Sequence, residues 1–107
     1  MTTFDKREEG FEKKFAHDEE LRFKASARRN KLLGLWAAEK MGMNEADAAA
    51  YGKEVVQADF EGAGDDDVFR KVRKDLDAKK VTATDAEIRT KMIDLMATAI
   101  AQIEAGK

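Results

Sequence analysis

The stretch Thr84-Asp-Ala-Glu-Ile-Arg-Thr-Lys-Met-Ile-Asp-Leu-Met-Ala-Thr-Ala-Ile-Ala-Gln-Ile103 decides the fold class. It opens with a capping box, because Thr84 and Glu87 stand three apart and can each satisfy the other's backbone N–H at a helix start. Behind the box, Ile88, Met92, Ile93, Leu95, Met96, Ile100 and Ile103 recur at the three-to-four residue spacing of an α-helix, with no strand-like alternation. That apolar set is too wide for a single neighbour, so this helix is expected to pack against several others.

The same periodicity extends back through the chain. A third helix begins in the Asp65-Asp66-Asp67 run and turns Val68, Phe69, Val72 and Leu76 toward the core. The aspartates suit a helix start, where the backbone dipole favours anions. Calcium or magnesium needs several oxygens at defined spacing, and the EF-hand pattern is missing. A second helix has Asn44 as its cap, runs through Ala49, Gly52, Val55, Val56 and Phe60, and ends at Gly62-Ala63-Gly64. The first has Asp18 as N-cap and Gly42 as its stop. Its stripe reads Leu21, Ala25, Leu32, Leu35 and Trp36, with Arg28 and Arg29 interrupting it. Trp36 is expected in the core, and Gly34 is expected to let another helix approach closely. Four helices with short connections predict an all-α, four-helix bundle-like domain over residues 18–107.

Residues 1–17 read differently. Phe4, Phe11 and Phe15, at offsets of seven and four, share a helical face, and the residues between them are mostly charged. Continuing that face reaches Asp18 and Arg22, so the stripe slips near His17. Gly10 weakens a helix there by ~1 kcal/mol relative to Ala. The segment is expected to be a mobile arm that becomes helical in a partner's groove; the alternative is that it lengthens the first helix and docks on the bundle.

Composition narrows the function classes. The chain has 107 residues, 43% hydrophobic and 39% charged, the size of one domain with a heavily solvated surface. Without cysteine it has no disulfide, thiol nucleophile or thiolate zinc site, which suits the cytoplasm. His17 is its only histidine, and no phosphate loop, paired-histidine spacing or nucleophile elbow is present. An enzyme is not expected, nor a cofactor or metal. The net charge is −2, with residues 1–40 slightly basic and the rest acidic, so a nucleic-acid partner is not expected. The apolar run Leu32 to Ala38 is too short to span a bilayer. One basic cluster, Arg22, Lys24, Arg28, Arg29 and Lys31, could grip the phosphates of a nucleotide or nucleic acid. The plainer reading makes it a solvated face paired with Glu19, Glu20 and Glu39.

Two segments, Phe11-Glu-Lys-Lys-Phe-Ala-His-Asp-Glu-Glu-Leu-Arg-Phe-Lys-Ala25 and Ala27-Arg-Arg-Asn-Lys-Leu-Leu-Gly-Leu-Trp-Ala-Ala-Glu-Lys40, resemble the zeta-subunit family of bacterial ATP synthase inhibitors. The likeness continues through Val55-Val-Gln-Ala-Asp-Phe-Glu61 and Gly64-Asp-Asp-Asp-Val-Phe-Arg-Lys-Val-Arg73 and is looser at 44–52 and 77–87. It implies a four-helix cytoplasmic regulator, peripheral to the membrane through ATP synthase. Its N-terminal segment would enter the catalytic interface between alpha and beta subunits, near gamma, and block ATP hydrolysis. The inhibitory residues carried over are Phe4, Arg7, Glu8, Glu9, Phe11, Lys13, Lys14 and Phe15. Weak nucleotide binding by the bundle is conceivable within such a family. A nucleotide or nucleic-acid module built on the basic cluster and a generic helical adaptor stand as alternatives.

Overall fold

The computed structural model describes residues 19–61 and 65–106. Among the described residues four helices follow one another: α1 Glu19–Lys40, α2 Glu45–Glu61, α3 Asp65–Ala78 and α4 Asp85–Glu104. They form the expected all-α bundle. The Asp18 cap and the glycine stop at 62–64 lie outside the described residues.

Local chemistry sets the boundaries. Asn44 caps α2, its Oδ1 accepting from Asp47 N at 2.8 Å. Thr84 caps α4 from an extended backbone conformation, Oγ1 accepting from Glu87 N at 3.1 Å. The returning half of that capping box differs from expectation, because the Glu87 carboxylate meets the Thr84 hydroxyl instead of its N–H. α1 ends on Gly42, at φ +76°, with Met43 N bonded to Ala38 O and Gly42 N to Glu39 O. This is the Schellman closure that glycine favours. α3 closes the same way, Val81 N to Leu76 O and Lys80 N to Asp77 O, but Lys80 takes the left-handed position at φ 61°.

The core gathers Leu33, Ala37, Ala38, Tyr51, Val55, Val68, Val72, Leu76, Ala83, Ile88 and Met92. α1 and α2 cross at a glycine pair: a Cβ built on Gly34 would lie 2.6 Å from Gly52 Cα, so the two backbones touch there, as the sequence suggested. α4 packs on α1 and α3 and, among the described residues, has no packing contact with α2. Arg28 Nη1 donates to Gln102 Oε1 at 3.3 Å, while Trp36 and Lys40 share a cleft with Ala86, Glu87, Thr90, Lys91 and Asp94. α1 and α4 are therefore antiparallel.

Two expectations are corrected, at Trp36 and Arg29, and a core position on α2 is added. Trp36 is only half-buried, packed against the core's edge with the Lys40 ammonium 5.2 Å from its ring centroid. Ala49 is exposed, and the neighbouring Tyr51 takes the core position on α2. The inward stripe of α1 runs Ala25, Arg29, Leu33, Ala37, at a strict spacing of four, so Arg29 belongs to the stripe it was expected to interrupt.

Candidate functional site

The basic cluster divides by exposure. Arg22, Lys24 and Lys31 are exposed, and Lys24 pairs with Glu20 at 3.2 Å, one of the carboxylates expected for it. Arg28 is half-buried and directed at α4. Arg29 is 2% exposed, which corrects the reading of it as part of a solvated face. The reason is helical phase: Arg29 is four residues from both Ala25 and Leu33, so its stem lies on the inward side. Its guanidinium escapes burial without partners by two short bonds. Nε donates to Asn30 Oδ1 at 2.7 Å and Nη2 to Asp65 Oδ1 at 2.7 Å. A cation tied down in this way holds the start of α3 against α1. It is not presented to a phosphate.

The Asp65-Asp66-Asp67 run is used completely in such clasps. Asp65 takes Arg29, Asp66 takes Arg89 Nη2 at 3.0 Å, and Asp67 takes Arg70 one turn along. The Arg89 guanidinium also lies 4.0 Å from the Phe69 ring centroid, so α4 is strapped across the first turn of α3. Arg73 fastens the other end, donating to Ala83 O at 2.5 Å, Asp77 at 2.6 Å and Asp85 at 3.1 Å. Its Asp77 bond, in first place, holds the guanidinium more firmly protonated than usual. Among the described residues no cluster of three or more His, Asp or Glu could hold a metal ion.

α2 is joined to α3 by a second polar knot. Tyr51 is 3% exposed and donates its hydroxyl to Asp75 Oδ2 at 2.8 Å. Lys71 bonds Asp75 at 3.0 Å and Glu54 at 3.5 Å and stands over the Tyr51 ring at 5.2 Å. Burial first, then the bond to Asp75, pushes the phenol well above its ordinary range.

One recess was missed from the sequence. Arg29, Asp65, Arg89, Met92, Ile93, Met96, Ala97 and Ile100 line a mainly apolar groove of ≈ 500 Å³. Ile93, one of its lining residues, is 71% exposed. The signal was the excess apolar width of α4, which was assigned to neighbouring helices that do not cover it. The expected inhibitory residues Phe4, Arg7, Glu8, Glu9, Phe11, Lys13, Lys14 and Phe15 lie outside the described residues.

What the described residues define is an all-α helical domain, in which Arg29, Arg73 and Arg89 tie helices together beside a mainly apolar recess. Its family is specific: the chain belongs to the ATPase inhibitor subunit zeta family, whose model matches residues 1–102. A protein solved by solution NMR is 53% identical, over 81% of this chain and 99% of that one, and superposes with a TM-score of 0.72. Comparison with curated proteins gives no match. No described helix is long and apolar enough to cross a membrane.

Proposed function

We propose that this chain inhibits ATP hydrolysis by the catalytic head of a rotary ATP synthase, inserting residues 1–17 where alpha, beta and gamma subunits meet. The observation that carries the reading is the family match over residues 1–102, which takes in the N-terminal segment together with the bundle. Phe4, Phe11 and Phe15 are the anchors of an amphipathic helix laid in a groove, and their burial offsets the cost of ordering the segment. Arg7, Glu8, Glu9, Lys13 and Lys14 pair with the walls of that groove and steer the encounter. The bundle beyond adds bulk against rotor movement, and the protein meets the membrane only through ATP synthase. Of the basic cluster, Arg29 is already held by Asn30 and Asp65, which argues against its part in a phosphate clamp.

The test is titration of purified ATPase with the wild-type chain, a chain lacking residues 1–15, and Phe11→Ala/Phe15→Ala. Anchor aromatics cost ~2 kcal/mol or more each on truncation, or roughly 30-fold in affinity. The double variant is expected to lose inhibition while melting like the wild type. Full inhibition by the shortened chain would move the activity to the bundle.

A further inference from the structure

The groove beside Ile93 exists because α3 stops short. Arg73 with Asp85 and Arg89 with Asp66 mark the stretch of α4 that α3 covers, and α3 begins at Asp65. Among the described residues, α4 continues past Met92 for three more turns with α1 on one side only. Ile93, Met96, Ala97 and Ile100 then form an open seam at offsets of three, four and seven. A single exposed isoleucine means nothing, but an apolar trough at this spacing fits the side of another helix. Its methionines let it adapt to bulky rings. The arginines on its rim are already paired with Asp65 and Asp66, so the trough offers apolar contact and not an anion site.

We propose that the occupant is the chain's own N-terminal segment, folded back along α4 with Phe4 and Phe11 in the trough, as a latch that withholds it from ATP synthase. The argument is one of reach. α1 runs antiparallel to α4, with Arg28 level with Gln102. The segment therefore leaves α1 at the C-terminal end of α4. At 1.5 Å per residue, Glu19 stands ~13 Å beyond that level and Met96 ~9 Å on the other side of it, a span of ~22 Å. Residues 4–18 can cover that distance with a few residues extended through the turn and the rest wound as a helix. Phe4, Phe11 and Phe15 repeat the offsets of seven and four that the trough presents. A segment tethered this closely acts at an effective concentration in the ~mM range, far above that of a second copy. The latch rests on the inhibitory reading above; the docking does not.

The chain has no cysteine, so a spin label on Thr3→Cys is unique in the full-length protein. In methyl-labelled protein, the label is expected to erase the signals of Ile93, Met96 and Ile100 and to spare Met43 and Ala83 at the opposite end. Ile93→Lys, at a position open enough not to disturb the fold, is expected to restore them. Signals that survive in the labelled chain, or that are lost only when labelled and isotope-labelled molecules are mixed, overturn the intrachain docking; the second result would mean that another copy fills the trough. In the ATPase titration, a latch closed in about four molecules of five weakens the inhibitor about fivefold, and Ile93→Lys is expected to recover that factor. Unchanged potency overturns the latch, and weakened potency shows instead that the trough itself grips the ATPase. If the wild-type chain inhibits no ATPase, the proposed function fails, and the spin label alone decides the docking.

Discussion

Replacing Arg29 tests the central correction that the structure makes to the sequence. Arg29→Ala removes the donor to Asn30 Oδ1 and the donor to Asp65. Asn30 is fully buried, and its Nδ2 already lacks a partner. The substitution would therefore leave the whole Asn30 amide unsatisfied, at about 1–3 kcal/mol for the newly orphaned oxygen. Loss of the buried aliphatic stem and the cavity it leaves add roughly 1–2 kcal/mol. Together these predict a loss of about 3 kcal/mol, or ~12–24 °C in melting temperature for a domain of this size. Arg29→Met keeps the stem and removes a buried charge, so only the Asn30 term remains, at about 1–2 kcal/mol. Asp65→Asn keeps an acceptor for Nη2 but leaves the buried Arg29 charge without its counterion, so it is expected to cost about 1–2 kcal/mol, less than Arg29→Ala. Arg28→Ala is expected to cost at most ~1 kcal/mol. Urea unfolding followed by helical circular dichroism gives all four values. The reasoning is refuted if Arg29→Ala stays within 1 kcal/mol of wild type (about a fivefold change in the folding constant), or if Asp65→Asn costs as much. The second outcome would mean that the ion pair, and not burial, sets the energy.

Three further outcomes follow from the geometry. Gly34→Ala places a methyl against the Gly52 backbone, which cannot yield as a side chain would; forced separation of the helices at ~1–3 kcal/mol exceeds the ~1 kcal/mol gained in helix propensity, so calorimetry should show a lower melting temperature, and a milder loss for Gly52→Ala. Lys80→Gly relieves the left-handed strain at the end of α3 and should stabilise by about 1 kcal/mol in denaturant unfolding. Tyr51 keeps its proton in the folded state above pH ~10, where the unfolded chain releases it, so stability is complete below that pH and falls as pH rises past it. Tyr51→Phe should cost ~1 kcal/mol at neutral pH and lose that tyrosine's share of the alkaline decline, as read from melting at a series of pH values.

Much of the fold was legible, since helix number and type follow from periodicity, and the Asn44, Thr84 and Gly42 boundaries follow from side chains or φ preferences that those residues advertise. The end of α3 was not legible, because Lys80 occupies a position where glycine is the usual sign. Arg29 was misread because its charge was weighed above its phase. A long aliphatic stem can keep the inward register when a neighbouring amide and a carboxylate receive the head group. Tyr51 stands four residues before Val55, in the inward register, and closes the apolar run Ala48-Ala-Ala-Tyr51, so its phase was the signal that could have found it. The groove was hidden for another reason: the apolar surplus of α4 was visible, but which neighbour ends early is set by the length of α3 and its crossing with α4. Which of the expected inhibitory residues act is a question for the ATPase titration, not for periodicity.

The glycine crossing of α1 and α2 also orders events in time. Gly34 and Gly52 are 18 residues apart, whereas Arg28 and Gln102 are separated by 74. Short loops close at less entropic cost than long ones, so the α1–α2 hairpin is the natural nucleus, with α4 arriving late. The last element to dock is commonly the first to detach, and sub-global opening of this kind is recorded in amide exchange. Amides of α4 near Gln102 should therefore exchange sooner than those around Gly34. The face carrying Ile93 and Met96 would then belong to the part of the molecule that breathes most readily.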